Sequence, residues 1–452
     1  MDAVPLEVDE VVRGSIRITV SRPTSPSLRR EDSALPAYAR HMARFALVFI
    51  LILTACASNP PGPSATPTVA AVPTASATVP AIPGGGIYTA GLGTLKGQWA
   101  FVIRKDRRRQ VPTADRPAVA EVWALPLDGG QPRLAVRYVS EFDGRMGDVN
   151  VLRRQLSPDG RRLVLNVAAP RDSGGWRMTL MTVDLETGRT TALGRDNADH
   201  DRYPAWSRDG ARIAYVRRPN FDLFDDGLWL MNVDGTAPRQ MLPGALNSAT
   251  YLYGWTPDGR GIGYVQVSEQ AGYSVVDVAT GAKAAFTGYL EFLAAEPFAW
   301  RSRGSPAFAA TFATAPKEAE HQLEVADRPG GPQRVVATEP DRSLTLLAPR
   351  WHPSLDHILY VRASAGVGIG RRELFYIDLA DNSKKAIPTA VGPFRADWFP
   401  AGNDIVYLAI ANNAFSGGPV RYMRRDGTND REIFQPPGDD AIFTDLTTFA
   451  YR

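Results

Sequence analysis

One pattern recurs through most of the chain, and it limits the fold more than any other feature of the sequence. The successive copies start 50, 49, 45, 51 and 47 residues apart. Five of them read LSPDGRRLVLNV, WSRDGARIAYVRR, WTPDGRGIGYVQV, WHPSLDHILYVRA and WFPAGNDIVYLAI, and a degenerate sixth reads WRSRGSPAFAATF. Their first residues are Leu156, Trp206, Trp255, Trp351, Trp398 and, for the degenerate copy, Trp300. Internal repetition at this period is typical of an array of identical structural units.

Each copy has the same local chemistry. An aromatic residue or leucine ends one strand, and Ser/Thr-Pro-Asp-Gly then forms a turn. Proline presets φ, aspartate accepts bonds from the backbone, and glycine adopts the left-handed conformation. The strand that follows is apolar throughout, as in Ile-Ala-Tyr-Val from Ile213, so we expect both of its faces to be covered. Two further strands, each ended by a turn, complete the copy.

Four antiparallel strands in such a length are the size of one blade of a β-propeller. The predicted fold is therefore all-β, a single β-propeller over residues 96–452. Its 357 residues give room for seven four-stranded blades, while six and eight stay open. The first unit lacks an opening strand, and residues 441–450 form a strand without a unit. We therefore predict that the C-terminal strand completes the first blade and closes the ring.

The Trp-Ser-Pro-Asp-Gly-x-x-Ile-x-Tyr pattern resembles the TolB-type, WD40-like propeller repeat. The resemblance covers the repeats alone, because 96–452 leaves no room for the separate N-terminal α/β domain of TolB. It implies the propeller fold but none of the partner contacts of TolB. The same repeat precedes the hydrolase domain of prolyl-oligopeptidase-type peptidases, for which this chain has no matching segment.

The residues before the repeats resemble a targeting signal followed by a membrane anchor. Nine apolar residues, 45–53, suit the apolar region of a secretory signal and are too few to span a bilayer. They end in Leu-Thr-Ala-Cys, which resembles the bacterial lipobox, so we predict a lipoprotein signal peptide at 42–56 with lipid on Cys56. Residues 1–41 are then an upstream extension or a mis-assigned start, with Met42 as the expected first residue. An ordinary signal peptide that ends in small residues is the alternative.

A segment rich in Pro, Ala, Ser and Thr follows at 57–95. It has too few large apolar groups to offset the entropy of ordering, so we expect an extended tether. The predicted location is the bacterial cell envelope, with the propeller lipid-anchored to the membrane and outside the cytoplasm.

Charge and cysteine content exclude several classes. With 51 Lys and Arg against 48 Asp and Glu, the net charge of +3 gives no broad nucleic-acid-binding surface. The single cysteine excludes a disulfide scaffold. The sequence has no Gly-x-Ser-x-Gly, no His-Glu-x-x-His and no glycine-rich phosphate loop followed by lysine.

One short cluster could carry chemistry. Asp199, His200 and Asp201 lie in the connection that leads into a blade, and two carboxylates beside an imidazole could bind a cation or a polar ligand. The alternative is a hydrophilic loop whose acids cap turns and pair with Arg195 and Arg202. Equivalent connections carry further acids, which suggests a mildly acidic rim. These acids are Glu141, Asp143, Asp148, Glu291, Glu296, Glu339 and Asp341.

The expected function is therefore a non-catalytic binding or scaffolding module for a protein or an envelope polymer. We expect a monomer that contacts the membrane through Cys56, with no cofactor and no nucleic-acid partner. The alternative is a metal-dependent lyase or hydrolase that uses Asp199, His200 and Asp201, an analogy with other propellers.

Overall fold

The structure is a computed structural model. It describes residues 11–12, 15–16, 86–106, 118–140, 152–170, 176–193, 200–219, 226–244, 249–267, 272–285, 298–301, 308–313, 320–328, 330–364, 370–410, 417–435 and 441–451. The chain divides into two compact units, Met1–Ala70 and Ala71–Arg452. In the first, β1 (Val11–Val12) and β2 (Ser15–Ile16) pair antiparallel. Cys56 and the predicted signal peptide, 42–56, lie outside the described residues. No helix in the described ranges has the length and apolar character needed to cross a membrane.

The second unit consists of antiparallel sheets whose strands follow chain order. Four of these sheets have four strands each. They are β10 (His200–Trp206), β11 (Arg212–Arg218), β12 (Gly227–Asn232) and β13 (Arg239–Leu242); β14 (Ala249–Trp255), β15 (Gly261–Val267), β16 (Gly272–Asp277) and β17 (Lys283–Ala285); β18 (Phe298–Trp300), β19 (Phe308–Ala313), β20 (His321–Ala326) and β21 (Gln333–Glu339); and β22 (Leu344–Trp351), β23 (His357–Ser364), β24 (Arg372–Asp378) and β25 (Ser383–Ile387). This is the all-β propeller architecture that the repeats predict.

A larger sheet joins the two ends of the repeat region. It contains β26 (Pro393–Trp398), β27 (Asp404–Ile410), β28 (Gly417–Arg424) and β29 (Arg431–Phe434), followed by β30 (Ala441–Tyr451), β4 (Gly97–Asp106), β5 (Ala118–Pro126), β6 (Arg133–Ser140) and β3 (Gly86–Thr89). The two halves meet at one residue pair, Gly417 and Phe443. In the second half β30 pairs with β4 from Ala441 opposite Asp106 to Tyr451 opposite Gly97, the pairing predicted for the C-terminal strand.

The remaining sheet has three strands, β7 (Arg162–Pro170), β8 (Trp176–Asp184) and β9 (Thr190–Ala192). The sequence predicted a strand ending at Leu156 as its first member. A short helix, α1 (Leu152–Gln155), occupies that place, and Leu156 keeps a single bridge to Leu163. Asp445 on β30 explains the difference, because its Oδ2 accepts the Leu152 N–H at 2.7 Å and so holds the start of the helix.

From β3 to β30, the described strands thus form seven groups. From here on, 'unit' means one of these seven groups. Each unit begins with what we call its inner strand, except the β7–β9 unit, in which α1 takes the place of that strand. The number of blades in the whole chain and closure of the complete ring stay predictions.

The apolar second strands are covered on both faces, as expected. In β11, Ile213 and Tyr215 pack with Leu180 of the preceding unit. Ala214 and Val216 lie on the opposite face and pack in a cluster that includes side chains of the following unit, such as Leu252. Neighbouring units therefore share apolar clusters, and this arrangement makes the stack of sheets one body.

The turns follow the predicted chemistry. In the β10–β11 turn, the Ser207 hydroxyl donates to Asp209 Oδ1 at 2.5 Å, Asp209 accepts the Ala211 N–H at 3.0 Å, and Gly210 has φ of 70°. These two hydrogen bonds hold the pKa of Asp209 below its usual range. In the β22–β23 turn, His352 replaces the hydroxyl residue: its Nδ1 accepts the Leu355 N–H at 2.9 Å.

The predicted tether, 57–95, extends too far. Residues 86–95, here called the strap, belong to the folded body, because β3 pairs with β6 and the chain then crosses to the β7–β9 unit. Leu92 donates its N–H to Leu185 O at 2.8 Å, Leu95 donates to Glu186 Oε1 at 2.9 Å, and both leucine side chains are buried. Composition suggested a tether because the segment has few large apolar groups, but Leu92 and Leu95 are buried and the backbone is hydrogen-bonded to β6 and to the β7–β9 unit.

Candidate functional site

The cluster predicted as a ligand site lies at the beginning of β10, and it is packed into the sheet. His200 and Asp201 are strand residues with 2% and 4% of their surface exposed, so the prediction of a connecting loop is wrong for these two. Asp199 lies outside the described residues. In the antiparallel register Asp201 is opposite Arg217, which places their side chains together.

Both carboxylate oxygens of Asp201 accept hydrogen bonds. Arg217 Nε donates to Oδ1 at 2.7 Å and its terminal nitrogen donates to Oδ2 at 3.0 Å. His200 Nδ1 accepts the Met178 N–H at 3.2 Å, from the preceding unit. The expected partner Arg202 lies instead over the Tyr203 ring, and Arg195 is outside the described residues. Within the described ranges, no three His, Cys, Asp or Glu side chains come together as a metal site requires.

Other carboxylates at the same end of the strands are also paired with arginine. Asp226, which is 1% exposed, accepts from Arg218 at 2.5 and 2.9 Å. Three further acids have the same kind of partner, with nitrogen to oxygen distances of 2.5–3.7 Å: Glu121 with Arg104 and Arg137, and Glu339 and Glu373 with Arg362. Of the predicted acidic rim, Glu339 is therefore neutralised and Asp341 accepts from Ser343 in a turn. Glu141, Asp143, Asp148, Glu291 and Glu296 lie outside the described residues.

The opposite end of the inner strands surrounds an open pocket of about 490 Å³. Each of the seven units contributes to its lining, through residues that lie at or next to the end of an inner strand, or in α1. Its aromatic lining residues are Trp206, Tyr253, Trp255, Trp300, Trp351, Trp398, Phe399 and Phe449. The tryptophans that recur in the sequence copies thus form part of the walls of this pocket.

Indole hydrogen bonds fix these walls. The indole N–H of Trp206 donates to Gln155 O at 2.8 Å, in the preceding unit. Three other tryptophans make the equivalent bond. Each donates to the carbonyl oxygen of the residue just before the corresponding tryptophan of the preceding unit: Trp255 to Ala205 O, Trp351 to Ala299 O and Trp398 to Arg350 O, at 3.1–3.3 Å. A repeated tryptophan therefore joins four of the units to the unit before it and has a structural role there.

Bulges in the inner strands redirect the chain just before the pocket. The pairing register shifts between Arg202 and Ala205 in β10 and between Leu347 and Arg350 in β22. Tyr203 and Ala348 in these bulges have positive φ, 51° and 48°, which is strained backbone for residues other than glycine. The sequence carries a signal for these bulges: a proline lies inside both strands, and proline within a strand indicates a bulge or an edge.

The pocket is rich in arginine. Its described lining contains five arginines and one carboxylate, Asp397. The five come from four units: Arg153 and Arg154, Arg208, Arg301, and Arg350. Sequence reasoning missed this set because the five lie at different offsets from the repeated tryptophan and share no motif.

Two ion pairs involve these arginines. Arg153 donates to Asp397 Oδ1 at 3.1 Å, where the carboxylate is 2% exposed and the arginine side chain 41%. Arg301 pairs with Asp356, which is outside the lining, and its guanidinium lies 5.4 Å from the Trp351 ring centre. Within the described lining, arginines therefore outnumber carboxylates five to one.

Comparisons with known proteins show similarity only at the level of structure. No family model matches the chain, and no curated protein sequence does. Among solved structures, TolB from Acinetobacter baumannii aligns at 16% identity and a TM-score of 0.41, over 66% of this chain and 64% of that one. An oligogalacturonate lyase in complex with manganese aligns at 12% identity and a TM-score of 0.48, over 76% and 88%. The β-propeller domain of the Trilobed protease from Pyrococcus furiosus aligns at 12% identity and a TM-score of 0.42, over 62% and 83%.

The chain thus spans less than two thirds of the TolB chain. The sheets and the repeats agree with each other independently of these alignments. The protein is an all-β propeller whose sheets follow the order of the sequence repeats.

Proposed function

We propose that this protein is a non-catalytic binding or scaffolding propeller, held by lipid on Cys56 at the outer side of a bacterial membrane. The observation that carries the proposal is the pocket to which all seven units contribute. A ligand in such a position can contact several units at once, and rigid sheets hold those contacts in place. The partner is a protein or an envelope polymer, and no nucleic acid is expected.

The anchor is proposed from the Leu-Thr-Ala-Cys sequence. Because the strap begins at Gly86, the segment between Cys56 and the body, residues 57–85, is 29 residues long. At about 3 Å per residue its full reach is about 90 Å. The propeller would then sample a zone around its attachment point, and two or more acyl chains would hold it firmly.

The alternative, a metal-dependent lyase or hydrolase, relied on Asp199, His200 and Asp201. The contacts of Asp201 with Arg217 and of His200 with Met178 give that alternative little support, since a cation would have to displace Arg217 first. The binding proposal therefore takes precedence.

Anchoring is tested by expressing the full chain in a bacterial host with a radiolabelled fatty acid. We expect the wild-type protein to carry the label, to be found in the membrane fraction and to begin at Cys56 in its mature form. Cys56→Ala should lose both the label and the membrane fraction. A labelled Cys56→Ala protein, or any mature peptide from before residue 56, would contradict the lipobox assignment.

Binding at the pocket is tested with a photo-crosslinking amino acid placed in the anchored protein. Substitution at Tyr253, which lines the pocket, should capture a discrete envelope partner from cells. Substitution at Val335, an exposed outer-strand residue 44% accessible, is the matched control and should not capture it. The purified partner must then bind the full-length Cys56→Ala protein saturably. Equal capture from both positions, or no saturable binding, would refute a pocket-based binding function.

A further inference from the structure

The charge and the hydrogen-bonding groups of the pocket indicate which class of ligand it takes. Arg208 is exposed at the pocket, and the Arg301 side chain is 28% exposed. They lie in different units, two residues after Trp206 and one residue after Trp300. Guanidinium groups of this kind bind carboxylates in a planar, two-point geometry.

The surroundings restrict the positions of these groups. Arg301 is held between Asp356 and the face of Trp351, and Arg153 is held by the buried Asp397. Arg350 is 3% exposed and donates to Pro349 O at 3.0 Å. The side chains are thus partly fixed before a ligand arrives, which lowers the entropy lost on binding.

The described lining offers many donors and few acceptors. Asp397 is its single carboxylate, and the lining contains no Asn, Gln, Glu, His or Lys. Its other side-chain acceptors are the hydroxyls of Tyr253, Thr256 and Thr448, so a neutral, hydroxyl-rich glycan matches this lining less well than a ligand with carboxylates. The arginines of the lining lie among aromatic and proline side chains such as Pro257 and Pro353. A ligand that carries carboxylates separated by apolar groups would match this arrangement.

We infer that the pocket binds a short acidic peptide segment of the partner, with its carboxylates on Arg208 and Arg301. The inference rests on the proposed binding function and names the chemistry of its ligand. A volume of about 490 Å³ suits a few residues of an extended peptide rather than a folded domain.

The test measures binding of fluorescein-labelled hexaglutamate to the full-length Cys56→Ala protein by fluorescence anisotropy. Hexaglutamine is the neutral reference, and a galacturonate trimer is the competing acidic glycan. We compare Arg208→Glu/Arg301→Glu with Arg328→Glu, the same kind of substitution at a single exposed residue that does not line the pocket. Circular dichroism and thermal unfolding show whether each variant folds, and Arg208→Gln/Arg301→Gln replaces the first variant if it does not.

Hexaglutamate should bind at least about tenfold more tightly than hexaglutamine, since hydrogen bonds to charged groups are the stronger kind. The double variant should lose about tenfold or more in affinity, whereas Arg328→Glu should change affinity less than about twofold because Arg328 does not line the pocket and its exposed charge is screened. Equal losses in both variants, or no preference for hexaglutamate, would overturn the inference. Tighter binding of the galacturonate trimer would overturn the peptide assignment.

These outcomes are separable from failure of the proposed function. If the crosslinked partner still binds Arg208→Glu/Arg301→Glu with wild-type affinity, the propeller remains a binding module and only the acidic-peptide assignment fails.

Discussion

The two ends of the inner strands use arginine in opposite ways. Where these strands begin, buried carboxylates accept from arginines on neighbouring strands, as Asp201 does from Arg217 and Asp226 from Arg218. Where the strands end, five arginines face an open pocket whose described lining has one carboxylate, Asp397. The described carboxylates at the first end are neutralised inside the protein, whereas arginines outnumber carboxylates in the described lining at the second.

The difference teaches that a cluster of charged residues in a sequence does not by itself mark a site. Asp199-His200-Asp201 is conspicuous in the sequence, yet Asp201 is held in the structure by Arg217. The arginines of the pocket come from four separate units and come together only when the units pack side by side. Four changes test this contrast, taken here from the largest expected effect to the smallest.

Asp226→Ala should have the largest effect on stability. It leaves Arg218, 4% exposed, without its two-point partner and removes an acceptor of the Thr250 N–H. Loss of one member of a buried ion pair costs about 3–5 kcal/mol. Urea unfolding measures this, with Asp258→Ala in an exposed turn as the control at about 1 kcal/mol or less. Hexaglutamate affinity of the folded Asp226→Ala protein should stay at the wild-type value; a large change would contradict a structural role for this end.

Asp397→Asn should change both the stability of the protein and its affinity for the ligand. The Arg153 side chain is 41% exposed and can be solvated after its partner is neutralised, so we expect a loss of only about 1–2 kcal/mol in the free energy of unfolding. One negative charge less in the pocket should tighten hexaglutamate binding severalfold, most clearly at low salt. Anisotropy titrations at two salt concentrations check this. Weaker binding would show that Asp397 orients Arg153 for the ligand instead of opposing it.

Trp206→Phe should show whether Trp206 only forms part of the pocket wall or also contacts the ligand. The change removes the indole N–H that donates to Gln155 O, and loss of a buried neutral hydrogen bond costs about 1 kcal/mol. Thermal unfolding measures the cost, and Phe101→Leu, a buried change elsewhere, gives the scale of a packing defect. Because Trp206 is a structural link between units, hexaglutamate affinity should remain within about twofold of wild type. A tenfold loss would make this ring part of the binding surface.

The smallest expected effect is a pH dependence from His352, beside the pocket. Burial lowers the pKa of His352 below its usual value, and the charges of His357 and Arg425 act in the same direction, against the Gly402 carbonyl. The unfolded chain then binds the proton more readily than the folded one. Stability is therefore full above the ordinary histidine pKa and falls as pH drops below it.

Comparison of urea unfolding at pH 7.5 and 5.5 checks this. His352→Asn keeps an acceptor near the Leu355 N–H and cannot titrate, so its stability should vary less between the two pH values than that of the wild type. An equal pH dependence in both proteins would assign the effect to other groups.

Local signals in the sequence predict much of the fold. Pro-Asp-Gly turns, a fully apolar second strand and a tryptophan at fixed intervals predict repeated antiparallel units, and these are present. The candidate site was not predictable in the same way. The prolines at 204 and 349 did mark bulges in the inner strands, but nothing local indicated that Arg208 and Arg301 would face the same pocket.

The sequence by itself determined the antiparallel unit, its turns and the strands that are covered on both faces, because each depends on residues within one repeat. Only the tertiary structure decided that Arg217 neutralises Asp201, that α1 replaces a strand beside Asp445, and that the strap docks through Leu92 and Leu95. Each of these depends on strand register or on contacts between distant residues. The pocket has the same origin, since its charge is the sum of single residues that only the packing of separate units brings together.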